Sequence, residues 1–120
     1  MFRKHTISLK NAFNGLVWSL KTQPNYRIHL FLSLISIIGG FLLKISYFEF
    51  LLIIFLITVG LVIETINTAL EEATDAIDLK IREDIKIAKD VSAAAMLIYA
   101  IGSFVIAFMI FVPKLFFLIF

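Results

Sequence analysis

The chain has 120 residues, of which 61% are hydrophobic, and its mean hydropathy is +1.00. This length predicts one domain spanning 1–120, but a soluble domain of that size could not cover so much apolar surface, so the composition favours a protein of the lipid bilayer. The absence of cysteine excludes disulfides, zinc–thiolate sites and thiol catalysis. The net charge of +2 does not indicate a nucleic-acid partner, because the basic residues flank apolar runs, where they act as topology signals and bind anionic head groups.

The N-terminal segment, 1–27, carries five basic side chains and no acidic one. Its apolar residues recur near helical spacing, which predicts an amphipathic helix lying in the membrane interface. The sequence Gln23-Pro24-Asn25 should end this helix, since proline lacks a backbone donor and disfavours helix at the residue before it.

Three apolar segments follow, at about 28–44, 47–70 and 91–113. Each is long enough to cross a bilayer, the first only if flanking basic side chains extend to the interface. Pro113 is expected to close the third span. The predicted fold is therefore an all-α membrane protein with an N-terminal surface helix and three transmembrane helices.

The basic residues also predict the orientation of the spans. Five precede the first span, and four more lie in the charged segment 71–90 between the second and third spans. Because short loops rich in Lys and Arg stay in the cytoplasm, the N-terminus and 71–90 are expected on that side.

The informative polar residues begin at the end of the second span. Glu64 follows an apolar run at 50–63 that is interrupted only by a threonine, and a carboxylate at this depth is costly unless it has a partner or a function. On a helix, Glu64, Asn67, Glu71 and Asp75 share a stripe about 80° wide that climbs about 16 Å, from acyl depth to the head groups. Such a row of acceptors suits a reaction between a lipid hydroxyl and a water-soluble, metal-bound reagent.

Other polar residues have simpler explanations. The pair Lys89-Asp90 stands immediately before a span and is ambiguous on its own, because an interfacial lysine beside a helix-capping aspartate would look the same as a functional pair. His29 is expected to form a hydrogen bond at the interface or between helices, and Gly39-Gly40 to allow close helix packing. The remaining acids of the charged segment are expected to form ion pairs on a solvated surface: Glu72, Asp78, Glu83 and Asp84.

The segment Glu64–Asp75 resembles the signature of the prokaryotic diacylglycerol kinase family. The segments Thr22–His29, Lys89–Ala95 and Phe111–Lys114 are similar as well, so the resemblance covers nearly the whole chain. The first and last of these three look more like the Gram-positive branch, whose members typically phosphorylate undecaprenol.

The resemblance implies a homotrimer in the bacterial cytoplasmic membrane, with active sites shared between subunits and Mg²⁺-ATP as phosphoryl donor. Glu64 falls at the catalytic general base, and Asn67 matches a polar residue of the catalytic site. Glu71 falls at a carboxylate that binds metal and approaches ATP, while Lys89 and Asp90 match nucleotide-contacting positions.

One position departs from the family pattern. Gln23 stands where the family usually has a second metal-binding glutamate. If Gln23 is a ligand of the metal and its nucleotide cofactor, it would bind the metal more weakly than glutamate does, because the amide carries no charge. This substitution also raises the alternative that the protein is a catalytically inactive scaffold.

The leading hypothesis is an ATP-dependent kinase of a membrane lipid alcohol, with undecaprenol preferred over diacylglycerol. A groove near Glu64 lined by Phe and Ile would favour the polyprenyl chain. The alternative is a small transporter or ion-relay subunit in which Glu64 carries protons or cations, although such a carboxylate is expected nearer the middle of a span.

Overall fold

The computed structural model describes residues 2–80 and 82–120, and the described chain is helical throughout apart from short connections. Three of its helices are long and apolar enough to cross a membrane, which confirms the predicted all-α membrane fold and makes the chain a multi-pass membrane protein. The helices of the described residues are α1 (Phe2–Thr22), α2 (Pro24–Leu42), α3 (Tyr47–Ile77) and α4 (Glu83–Ile119).

The break between α1 and α2 lies where the sequence predicts it. Gln23 is extended, with φ −102° and ψ 109°, and Pro24 is the first residue of α2. Proline suits this position because its fixed φ matches the helix and its missing N–H would have no partner there. The helix therefore begins four residues before the apolar run predicted as the first span.

A tight turn joins α2 to α3. Lys44 adopts a positive φ of 51°, and the N–H groups of Lys44 and Ile45 donate to the carbonyls of Phe41 and Gly40, at 3.3 and 3.1 Å. This is the Schellman pattern that ends a helix. Gly40 is required here, because a Cβ atom would lie 2.8 Å from the Phe50 ring.

Helix α3 starts with a capping box. The Ser46 hydroxyl accepts from the Glu49 N–H at 3.2 Å, and the Glu49 carboxylate accepts from the Ser46 N–H at 2.6 Å. Removing such a cap typically costs about 1 kcal/mol. Glu49 also pairs with Lys114 of α4 at 3.5 Å, which ties the start of α3 to the end of α4.

At their C-terminal ends, helices α3 and α4 extend beyond the predicted spans. Helix α3 has 31 residues and continues to Ile77, so its length of about 46 Å exceeds the hydrocarbon thickness of about 30 Å. The sequence predicts that the third span ends at Pro113, but helix α4 continues through this proline to Ile119. Proline removes one helical hydrogen bond, but the residues after it are apolar, and helices in lipid tolerate such an interruption.

Little apolar surface is buried within the single chain. The radius of gyration is 17.9 Å, against about 14 Å for a compact domain of this length. Large apolar side chains remain exposed along α2, α3 and α4, where lipid or another subunit would cover them. The buried apolar residues of the described chain are few: Tyr26, Ile45, Ile53, Ile85 and Ile110.

Candidate active site

The predicted polar stripe lies on a continuous stretch of α3, as its spacing requires. Glu64 and Asn67 are buried, with exposed fractions of 3% and 7%, and Glu71 and Asp75 are partly buried. Glu64 lies about 26 Å along the helix from Tyr47, near the far edge of a hydrocarbon layer about 30 Å thick. The stripe therefore crosses from acyl depth toward the aqueous end of the helix.

Glu64 faces a cavity of about 200 Å³ between α2, α3 and α4. Asn25 and His29 of α2 form its other polar walls, and Ile28 and Met96 complete the lining. Asn25 and His29 are not among the site residues that the sequence predicts. Their spacing of four residues, which places both on one face of a helix, was the available signal.

His29 is held at the level of Glu64 by close packing one turn away on α3. A Cβ atom on Gly60 would overlap both the His29 imidazole and the Tyr99 ring, so only glycine fits between them. The two rings pack with centroids 5.8 Å apart, and the Tyr99 hydroxyl donates to the carbonyl of Leu56. His29 thus lies between helices, as predicted, but also at the edge of the Glu64 cavity.

The carboxylates of Glu64 and Glu71 form none of the ion pairs found among residues 2–80 and 82–120. They lie seven residues apart on one face of α3, about 10 Å along its axis. Asn67 lies between them on the helix, and its Nδ2 donates to Glu71 Oε1 at 3.3 Å. Within the described part of the chain, two acids that form no ion pair thus flank one amide.

This donor set fits a Mg²⁺–nucleotide complex better than a metal held by protein alone. Within the described residues, no group of three or more His, Asp or Glu side chains converges in a metal-binding arrangement. Mg²⁺ commonly binds one or two carboxylates together with substrate phosphates and waters. Glu71, toward the aqueous end of the stripe, suits that mode.

The lysine and aspartate expected at the nucleotide have different surroundings. Lys89 of α4 pairs with Asp75, which brings its ammonium group to the aqueous end of the stripe. Asp90 instead pairs with Lys86 at 2.7 Å on the outer face of α4, and both of these side chains are exposed. The structure therefore joins Lys89, but not Asp90, to the stripe.

Among the described residues, Gln23 forms no hydrogen bond with a carboxylate of the stripe. Its side-chain amide donates to the Thr22 hydroxyl at 3.4 Å, at the junction of α1 and α2.

The predicted surface pairing is found for Asp78 and Asp84, which both pair with Arg82, at 3.9 and 2.8 Å.

A groove of about 730 Å³ separates α1 from α3 and is largely apolar. Glu64 does not line this groove, so the groove does not test the lining predicted beside Glu64. Its wall combines Ile66 and Trp18 with Leu and Val side chains and several hydroxyl groups. Thr58 and Thr65 donate to carbonyls of their own helix. The Thr68 hydroxyl is buried and has no hydrogen-bond partner among the described residues.

Comparison with known proteins yields a family and two named relatives. The model of the family described as prokaryotic diacylglycerol kinase matches residues 10–111, which include the whole stripe. The chain is 34% identical over 108 residues to the undecaprenol kinase of Bacillus subtilis, covering 90% of this chain and 88% of that protein. It is 30% identical over 110 residues to the diacylglycerol kinase of a Synechocystis species, covering 91% of this chain and 63% of that protein.

Proposed function

The chain belongs to the prokaryotic diacylglycerol kinase family and is a membrane lipid kinase, and on that premise we propose that it transfers the γ-phosphoryl group of ATP to the hydroxyl of a membrane lipid alcohol. Undecaprenol is the proposed acceptor, with diacylglycerol second. The similarity to a relative named undecaprenol kinase supports this order. The lining of the groove between α1 and α3 does not, because its hydroxyl groups would suit either lipid.

The observation that carries the proposal is the environment of Glu64. Its carboxylate is buried, has no ion-pair partner among the described residues, and faces a cavity at the membrane boundary. In the proposed reaction Glu64 accepts the proton of the lipid hydroxyl as that oxygen bonds to the γ-phosphorus. The bond from the γ-phosphorus to the bridging oxygen then breaks, and ADP leaves.

Mg²⁺ is the proposed cofactor, and when bound it would neutralise charge on the phosphates. Glu71 would hold it, and Asn67 would orient Glu71 through their hydrogen bond. Gln23 is proposed as a weaker ligand on family resemblance alone. Lys89 and Asp90 are proposed to contact the nucleotide, for which Lys89 has to exchange Asp75 for a phosphate oxygen.

We place the chain in the bacterial cytoplasmic membrane with its N-terminus in the cytoplasm. Basic residues on the N-terminal helix and in the segment between α3 and α4 support this orientation, which also exposes Glu71 and Lys89 to cellular ATP. A homotrimer is the proposed assembly. The exposed apolar faces of α2, α3 and α4 offer surface for both lipid and neighbouring subunits.

The test is to incubate the purified protein in mixed micelles with γ-labelled ATP and each lipid alcohol in turn, followed by competition between the two lipids. Label should appear in lipid phosphate, with a higher kcat/KM for undecaprenol. A preference for diacylglycerol would overturn the choice of acceptor. Absence of labelled product from both lipids would overturn the kinase proposal, and ATP-independent ion flux in liposomes would favour the relay alternative.

A further inference from the structure

A buried hydrogen-bond chain crosses from α4 to the carboxylate stripe of α3. Ser92 Oγ donates to Asn67 Oδ1 at 2.6 Å, and Asn67 Nδ2 donates to Glu71 Oε1 at 3.3 Å. Ser92 and Asn67 have exposed fractions of only 8% and 7%. Through Asn67, a serine on one helix is thus connected to an acid on another.

The chemistry of the Asn67 amide fixes the direction of these two hydrogen bonds. An ionised carboxylate can only accept hydrogen bonds, so Glu71 requires the NH₂ side of Asn67. That orientation turns the amide oxygen of Asn67 toward α4, where it is shielded from water. A buried amide oxygen without a donor is unfavourable, and Ser92 supplies the donor.

We propose that Ser92 is a positioning residue for the metal-binding carboxylate. By holding the Asn67 amide in one orientation, it fixes the side chain of Glu71 in the position from which Glu71 binds Mg²⁺. The inference rests on the proposed function, in which Glu71 is the metal ligand. Partners that orient a metal ligand commonly change metal affinity by about 10- to 100-fold when they are removed.

The chain offers a matched control in Ser33. Ser33 is also 8% exposed, but its hydroxyl donates to the His29 carbonyl of its own helix at 2.7 Å. Ser33→Ala therefore removes a buried hydroxyl without touching the stripe. A conservative rescue also exists, because Ser92 lines a cavity of about 330 Å³ that can receive the extra methyl group of Ser92→Thr.

The experiment measures, by electron paramagnetic resonance, binding of Mn²⁺ to the full detergent-solubilised chain in the presence of a saturating non-hydrolysable ATP analogue. It also measures the Mg²⁺ dependence of lipid phosphorylation. Ser92→Ala should weaken Mn²⁺ binding about tenfold and raise the Mg²⁺ requirement in parallel. Ser33→Ala should match the wild type, and Ser92→Thr should restore most of the affinity. In a Glu71→Ala background, Ser92→Ala should have no further effect, because both act through one ligand.

Several outcomes would overturn the inference. The first is that Ser92→Ala binds Mn²⁺ as tightly as Ser33→Ala does. The second is that Ser92→Thr fails to restore binding. The third is that Ser92→Ala weakens binding as much in the Glu71→Ala background as it does in the wild type. Absence of Mn²⁺ binding by the wild type would do the same. If Mn²⁺ binding follows the expected pattern while neither lipid is phosphorylated, the positioning role stands and the proposed function fails.

Discussion

Helix α3 carries a glutamate near each boundary of the membrane, and the two are treated in opposite ways. Glu49 accepts a hydrogen bond from the Ser46 backbone at 2.6 Å and pairs with Lys114 at 3.5 Å. Glu64 is 3% exposed and takes part in none of the ion pairs of residues 2–80 and 82–120. The same side chain is therefore satisfied at one end of the helix and left without a cation at the other.

The difference indicates which acid serves the fold and which serves chemistry. A carboxylate that caps a helix and pairs with a lysine contributes to structure locally. A buried carboxylate without a cation is unfavourable in an apolar setting, so its presence needs another reason. Under the proposed function, that reason at Glu64 is a lipid alcohol whose hydroxyl proton the carboxylate accepts.

The largest expected effect is that of Glu64→Gln on lipid phosphorylation. The amide is nearly isosteric but cannot take the proton of the lipid hydroxyl, and loss of a general base typically costs about 100-fold or more in rate. Initial rates with γ-labelled ATP give the effect, and size-exclusion chromatography checks that assembly is intact. Retention of more than about a tenth of the wild-type rate would exclude the base assignment.

Glu71→Ala should act mainly on the use of Mg²⁺-ATP. Removing a metal carboxylate at the aqueous end of the stripe should raise the Mg²⁺ concentration required at fixed ATP by at least about tenfold. A Mg²⁺ titration of the phosphorylation rate measures this. An unchanged Mg²⁺ dependence with a lower maximal rate would place Glu71 elsewhere in the mechanism.

Gln23→Glu should moderately lower the Mg²⁺ concentration that the reaction requires, whereas Glu71→Ala should raise it. It restores the charge that the family usually carries at this position, so less Mg²⁺ should be needed for half-maximal rate. The same titration serves as the measurement. If the Mg²⁺ dependence does not move, Gln23 is not a ligand, in keeping with its hydrogen bond to Thr22 at the helix junction.

Lys114→Met should have the smallest effect on activity. It removes the partner of Glu49 at the opposite end of the bundle, and both side chains are partly exposed, with fractions of 36% and 26%. Exposed ion pairs contribute little to stability, so a slightly lower melting temperature with unchanged kcat and KM is expected. A large loss of activity would show that the two ends are coupled.

The fold and the stripe could be predicted because both depend on one segment at a time. Long apolar runs indicate the spans, and Glu64 and Glu71 share a face on any α-helix. Pro24 likewise marks a boundary through its own geometry, whereas Pro113 does not, because the apolar residues after it continue the helix in lipid.

The contacts between helices could not be predicted in the same way. These contacts depend on how each helix is rotated against its neighbour. They are the ion pair of Lys89 with Asp75, the hydrogen bond from Ser92 to Asn67 and the position of His29 beside Glu64. Periodicity within one helix gives its polar face but not the register of that face against another helix.

The most direct test of the contrast between the two ends is one assay of Glu49→Gln and Glu64→Gln beside the wild type. Each protein is given γ-labelled ATP and undecaprenol in the same mixed micelles, and the initial rate of lipid phosphate formation is measured. The expected result is a rate near wild type for Glu49→Gln and less than about a tenth of it for Glu64→Gln. Equal rates in the two variants, whether high or low, would contradict the assignment of Glu64 as the base.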